Sequence, residues 1–496
     1  MANPAYDALK SRNRTIYNLE HVQSIVTWDR LTQMQPGSAS ARAAAQGELE
    51  LMIQKLRTDH EVGDWIEAAL SENLEHDDRV NLTLMRRERL MSEVLSPELI
   101  MRKSEATGAA YNAWVDARRA NDWAAFVQPL DQVVSCMREE GERLGDALGI
   151  DAYDALLDRY DHGLRQSRVT ELFDEIAGWL PAMISKIRER QAGLAVIAPV
   201  GPFPAQAQKR VGLAVMEHLG FNFNAGRLDV SAHPFMGGTS EDIRITTRYD
   251  ENHCLSSVLA VVHETGHALY QGNLPEKWRG QPMGAPCSVA IHESQSLSME
   301  RQLAPRLGFA RLIAPLLRAE FGVQPAFAPE NLLRLMTRVQ PGKIRVEADE
   351  VTYPAHVILR VEIEKALIGG EIAVADIPAW WDERMADLLG VDTRGDHAGG
   401  ALQDIHWCQG MFGYFPSYLI GAMTAAQLFA TFSDAHPQFG EAADRGAFGD
   451  YTGWLHDKVW SAGSRSTGEK LVEEVTGKRL SAAALKSHFE QRYLTS

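Results

Sequence analysis

Through most of the chain, apolar residues recur three and four positions apart, the spacing that gathers them on one face of a helix. This rhythm predicts helices across residues 5 to 60, interrupted at Gln35-Pro36-Gly37. Ser38 or Ser40 then supplies the N-cap of an Ala-rich helix reaching about Arg57. Charged and apolar positions mix at helical spacing from Asp77 to Leu95. Ser96-Pro97-Glu98 then restarts a helix with a cap, a proline at its first position and an acidic first turn. These two helices, back to back, predict a hairpin. Further helices are expected over Asp131–Leu148, Val169–Gly193, Gln206–Leu219, Asn331–Val339 and Ile372–Leu389, the last capped at Gly390. More follow from Phe439 onward, with a turn at Thr467-Gly468. The run Ala198-Pro199-Val200-Gly201-Pro202-Phe203-Pro204 breaks the pattern. It is either a boundary between an N-terminal helical lobe of about residues 1–198 and a catalytic portion of about 205–496, or a surface loop within one domain spanning 1–496.

One stretch has a different period. From Asp242 to Tyr249 the chain alternates, with Ile243, Ile245, Thr247 and Tyr249 on one face and Asp242, Arg244, Thr246 and Arg248 on the other. That is a strand signal. Its polar face is expected to look into a cleft, where an extended peptide can add as another strand. A plain solvent-exposed edge strand is the alternative.

Composition narrows the choice of partners. A formal net charge of -16 at pH 7 argues against nucleic acid or an anionic membrane surface. Met1 to Arg14 carry no apolar core and no run approaches the roughly 18 apolar residues of a span, so neither a signal peptide nor a membrane helix is expected. Cys136, Cys254, Cys287 and Cys408 are scattered without C-x-x-C spacing, which predicts reduced thiols in a cytoplasmic protein.

The chemistry begins immediately after the alternating stretch. Val262-His263-Glu264-Thr265-Gly266-His267 sits in an apolar run that predicts a buried helix. Residues four apart lie one turn above each other, so His263 and His267 can grip a single metal ion. Glu264 is then turned toward the open side of the metal, where it can take a proton from water. Gly266 is unfavourable in a helix by about 1 kcal/mol relative to Ala, which points to close packing at that position. Two histidines need a third ligand. Glu293, after a Gly/Pro-rich loop, completes a His-His-Glu set that leaves a coordination position open, as in catalytic zinc sites. His292 is the rival ligand, but its side chain should point elsewhere on a helix.

Two later segments carry further candidates. In Lys343–Glu350, Arg345 and Asp349 are one helical turn apart, which predicts an intrahelical ion pair. In Gly400–Tyr418, His406 and Tyr414 are either hydrogen-bond donors to a developing oxyanion or buried aromatics with a satisfied polar tip. The position four after Glu293, where many zinc peptidases carry an acid that orients a ligand histidine, is Leu297. That partner must come from elsewhere, with Asp404 and Glu300 as the options.

Taken in order, six motifs resemble those of the carboxypeptidase Taq family, thermostable-type zinc metallocarboxypeptidases. They are His233-Pro234-Phe235, Asp242-x-Arg244-x-Thr246, His263-Glu264-x-x-His267, His292-Glu293-Ser294-Gln295, Ile344-Arg345-x-x-Ala348-Asp349 and Gly400-x-x-Gln403-Asp404-x-His406-Trp407. Trp28-Asp29 with Met34-x-Pro36 resembles that family's N-terminal signature, so the likeness spans essentially the whole chain. The resemblance implies a mainly α-helical, two-lobed fold with a deep active-site groove and a small β-sheet beside the metal helix, similar to neurolysin-like peptidases, and a homodimer. It implies release of single residues from the free C-termini of peptides, with broad side-chain tolerance. By that likeness His263, His267 and Glu293 bind zinc and Glu264 is the base, with cobalt or manganese as substitute metals. Arg345, or less strongly Arg244, binds the terminal carboxylate, and His406 and Tyr414 lie near the scissile carbonyl. The enzymatic alternative is a metal-dependent oligopeptidase or dipeptidyl carboxypeptidase. The other alternative is an inactive peptide-binding protein with a structural zinc.

Overall fold

The computed structural model describes residues 3–495. The chain is mainly helical, with one three-stranded sheet. Pro4–Thr32 and Ala39–Thr58 form the first long helices, separated by a single tight turn at Pro36–Ser38. Ser96 caps Pro97–Ala120 by accepting from Leu99 N, as its sequence predicts. The hairpin falls one helix later than expected. Pro97–Ala120 turns back at Asn121, whose φ of 56° is left-handed, and packs along Trp123–Leu148. Asp122 starts the return helix by accepting from Ala125 N, so that helix begins well before Asp131.

Apolar packing divides in three, the third cluster lying between the sheet and the helix that follows it. One large core runs from Leu99 to Phe489 and Tyr493, and residues on both sides of the 198–204 connector contribute to it. A smaller core gathers Tyr6, Leu9, Val62, Ile66, Leu74, Leu82 and Met85. Buried Asn81 ties the smaller core to the turn Pro282–Gly284: its amide donates to Tyr6 OH at 3.0 Å, and its carbonyl accepts from Met283 N at 3.1 Å. None of the described helices is long and apolar enough to cross a membrane.

The sheet has the order β1 (Gly226–Val230), β3 (Asp242–Thr247), β2 (Phe235–Thr239). The alternating stretch is therefore the central strand, parallel to β1 and antiparallel to β2, rather than an edge. Ile243 and Ile245 pack on Val261 and Ala268 of the following helix. The polar face does not look into a cleft as expected, because the first helix covers it. Arg244 pairs with Asp242 at 2.9 Å and lies 4.5 Å over the Trp28 ring, while His21 approaches Asp242 at 3.3 Å. The edge strands are β1 and β2, and the Gly237-Gly238 pair had hidden β2 from any periodicity argument.

The sheet packs against the helix Cys254–Gly272, which in turn packs on Val289–Leu297. At their crossing, a Cβ on Gly266 would lie 2.5 Å from Gln295 O and 2.6 Å from Ser296 Cα. Glycine is thus required for the approach itself. Alanine should gain about 1 kcal/mol of helix propensity but lose roughly 1–3 kcal/mol to overpacking. Gly266→Ala is expected to lower the urea midpoint, and a midpoint at or above that of the parent would show that the two helices are not held in contact there.

Candidate active site

The helix Cys254–Gly272 sets His263 and His267 one turn apart, their rings 4.9 Å between centroids. Glu293 arrives from Val289–Leu297, with Oε2 3.4 Å from His267 Nε2 and 3.7 Å from His263 Nε2. One ligand atom from each residue lies within 4.8 Å of the others, a group of a size that can hold a metal ion. The approach of Glu293 depends on a second glycine. A Cβ on Gly421, in the helix Phe415–Ala435, would stand 2.8 Å from Glu293 Cβ and Cγ.

The outer nitrogens of both histidines are engaged, which turns each Nε2 toward Glu293. His263 Nδ1 meets Glu300 Oε2 at 2.7 Å. His267 Nδ1 faces the carbonyl oxygen and Nδ1 of His292, at 3.1 and 2.6 Å. The rival ligand His292 therefore stands behind His267, and burial together with the nearby His267 holds it neutral, far below its ordinary pKa. Glu300 reaches His263 because Val289–Leu297 runs on into a widened turn, Ser298–Leu303, two turns past Glu293. A carboxylate–histidine pair of this kind fixes the tautomer of a metal ligand. Electrostatics ask for the same cation. Burial would lower the pKa of His263, but Glu293 and Glu300 raise it to about 9. Burial would raise that of Glu293, but the two histidines bring it down to about 2. Two imidazole nitrogens and a carboxylate oxygen, anion-rich and with their outer atoms satisfied, fit a divalent ion such as zinc.

Glu264 is buried beside this group, and its Oε2 has no hydrogen-bond partner. Burial raises its pKa, against the pull of His263 and His267. It opens on a cleft of about 870 Å³. Tyr160, Tyr414 and Tyr418, Phe235 and Met236 of β2, and Leu84 and Arg87 of the helix His76–Glu93 all line the cleft. His406 does not line it. It is buried one layer back, with Nε2 3.1 Å from Tyr418 OH and its ring 4.4 Å from that of Phe415. Burial and the nearby Arg345 push its pKa down to about 3, so it is neutral.

Arg345 also sits one layer back. The intrahelical pair with Asp349 is absent, because the chain at Arg345–Glu347 forms only a single tight turn and Ala348 is extended. Asp349 instead accepts from the backbone N–H groups of Gln340, Val351 and Thr352. Arg345 donates Nε and Nη2 to Asp404 Oδ1, at 3.0 and 2.8 Å, and its Nη1 lies 3.5 Å from Tyr353 OH. The guanidinium carbon is 4.9 Å from the centroid of Tyr418, which does line the cleft. Arg360 takes the other oxygen of Asp404, at 2.7 Å. Two buried guanidiniums thus share one carboxylate, while His356 and His406 beside them are neutral, each with its pKa pushed to about 3 by burial and the arginines. The cluster holds an excess of positive charge. Arg244, by contrast, is spent on Asp242 and Trp28 and does not line the cleft.

Comparison with known proteins now settles the family. The model of the carboxypeptidase Taq (M32) metallopeptidases matches residues 8–493. The chain belongs to this family. It is 33% identical over 505 residues to thermostable carboxypeptidase 1 of Thermus thermophilus, covering 99% of this chain and 98% of that one. Its fold superposes on Trypanosoma cruzi metallocarboxypeptidase 1 with a TM-score of 0.97 at 38% identity, covering 99% of this chain and 100% of that one. The Pyrococcus furiosus carboxypeptidase matches with a TM-score of 0.94 at 32% identity, over 100% of both chains.

In this metallocarboxypeptidase the fold brings beside the candidate site residues that its motifs alone did not single out. Tyr418 stands one helical turn beyond Tyr414, so i, i+4 spacing was available to find it. Arg360 was legible as a lone cation in the apolar run Ala355-His356-Val357-Ile358-Leu359-Arg360-Val361. Tyr353 had no such signal. Replacing Glu300 by Gln should leave the fold intact and weaken metal binding by about 10–100-fold. Competition against a chelating dye measures this, and unchanged affinity would remove Glu300 from the site.

Proposed function

We propose that this enzyme removes single amino acids from the free C-termini of peptides, with broad side-chain tolerance, using zinc held by His263, His267 and Glu293. Cobalt and manganese are accepted substitutes by their ligand chemistry. The observation that carries the reading is the buried excess of positive charge at Arg345 and Arg360, beside Tyr418 on the wall of the same cleft as the His-His-Glu group. One site favours a carbonyl and its attacking water, the other an anionic end. When bound, the ion supplies Lewis acidity, which polarises a carbonyl and acidifies water.

The rest of the chemistry belongs to side chains. Glu264 takes the proton of the attacking water and hands it to the leaving amine. Burial raises the pKa of Tyr418 to about 12 and that of Tyr414 well above its ordinary value. Both hydroxyls therefore stay protonated, so they can donate to the oxyanion as it forms. His406 holds the Tyr418 hydroxyl in place. Asp404 occupies Nε and one proton of Nη2 on Arg345. Nη1 and the second proton of Nη2, one layer behind Tyr418, are the part of the guanidinium left for the terminal carboxylate. Arg244 has no part in this reading. An extended substrate can pair with β2 near Met236. The available edge is short, since Gly238 N already donates to Ser24 Oγ at 2.9 Å. The scattered, unpaired, buried cysteines and acidic charge fit a cytoplasmic enzyme. The homodimer rests on the family resemblance.

Glu264→Gln should keep its metal and lose about 10²–10⁴-fold in kcat, whereas near-parental turnover would refute the base assignment. Mass spectrometry of a peptide and its C-terminal amide should show a one-residue ladder from the free acid only, and only with metal. Internal cleavage of both would make the enzyme an oligopeptidase. Arg345→Met should raise KM for free-acid peptides by about 10–100-fold, the worth of a charge-assisted hydrogen bond. An equal effect on residual amide cleavage would take Arg345 away from the carboxylate.

A further inference from the structure

Glu300 uses its two oxygens differently. Oε2 meets His263 Nδ1 at 2.7 Å, and Oε1 is 3.0 Å from Nη2 of its neighbour Arg301. The turn that carries both residues has a defect. In its widened register, where Ala304 N donates five residues back to Met299 O at 2.9 Å, the carbonyl of Arg301 would accept from Arg306 N, but that N–H donates to Ala304 O at 2.8 Å. The Arg301 carbonyl instead accepts from Arg492 Nη1 at 2.5 Å, across 191 residues of sequence. The same nitrogen donates to Glu350 Oε1 at 2.7 Å, and Tyr493 OH donates to that oxygen at 2.6 Å. His488 Nε2 lies 3.0 Å from the other oxygen, Oε2. Glu350 is buried, and although burial would raise its pKa, Arg492 and His488 hold it well below the usual carboxylate range. None of these residues lines the cleft.

A buried charged network of this kind adds little stability over apolar residues of the same shape, and in some proteins what it contributes is a defined geometry. Here the geometry it restricts is that of the turn bearing Glu300. We propose that Arg492, braced by Glu350 and Tyr493, is a positioning residue for the metal centre. It supplies the hydrogen bond that the Arg301 carbonyl lacks where the helix ends, holds the widened turn at Arg301, and so aims the Glu300 carboxylate at His263. The inference rests on His263 being a metal ligand.

The test is a double-mutant cycle in the full-length protein, read as the zinc dissociation constant by chelator competition, with the unfolding midpoint of the metal-free protein measured alongside. Arg492→Met is expected to weaken zinc binding about 10-fold, and Arg492→Lys to recover most of that loss. Added to Glu300→Gln it should cost nothing further, because the turn then has no carboxylate to aim. Additive losses in the double variant would overturn the proposal, as would a lower unfolding midpoint with unchanged zinc affinity. Should Arg492→Met fail to fold, Glu350→Gln and Tyr493→Phe, which preserve side-chain shape, carry the same cycle with the same expected non-additivity. Parental protein whose zinc affinity is unaffected by His263→Ala would overturn the metal-site reading itself, a result distinct from any failure of the cycle.

Discussion

The site depends on how closely three helices approach one another. Two histidines one turn apart form half a metal site at most, and the third donor must come from a different helix. In this protein the helix Val289–Leu297 is pressed onto the histidine helix at Gly266, and the helix Phe415–Ala435 is pressed onto Glu293 at Gly421. At both contacts a Cβ would stand within 3 Å of a neighbouring atom, closer than real side chains come. Because protein interiors are packed at crystal-like density, such contacts fix positions to fractions of an ångström. The geometry of the candidate site is in this sense a packing result, and its His-His-Glu residues are passengers on it.

Charge is distributed along the cleft with the same economy. Glu264, Glu293 and Glu300 gather around two histidines, an anionic ground that a divalent cation completes. Arg345 and Arg360, bridged by Asp404, leave cationic character beyond Tyr418. A buried charge is tolerated only when paired, so each cluster stands ready for a partner of opposite sign. A divalent cation is such a partner for the first, and the carboxylate of a peptide end for the second.

The sheet shows how a polar pattern can mislead. The alternation of Asp242, Arg244 and Thr246 reads as a face turned to water or to a ligand. In the folded chain the first helix lies on that face and uses it up, through Tyr17 on Glu241, His21 on Asp242 and Trp28 under Arg244. Periodicity reports that two faces differ in polarity. It does not report what each face meets.

What the sequence by itself determined was local. Helical rhythm, the Ser96 cap, the His263–His267 pair with Glu264 between them, and the need for a small residue at 266 all follow from interactions spanning a few positions, and a few positions are what a sequence displays directly. The tertiary structure alone decided the partners. It gave His263 to Glu300 across 37 residues, Arg345 to Asp404 across 59, and the carbonyl of Arg301 to Arg492 across 191. It also set Arg345 apart from Asp349, which spacing had paired, by denying that segment a full helical turn. Long-range pairs leave no period in the chain. They depend on which helices are driven together by burial of apolar surface, and that choice is made by the whole core at once.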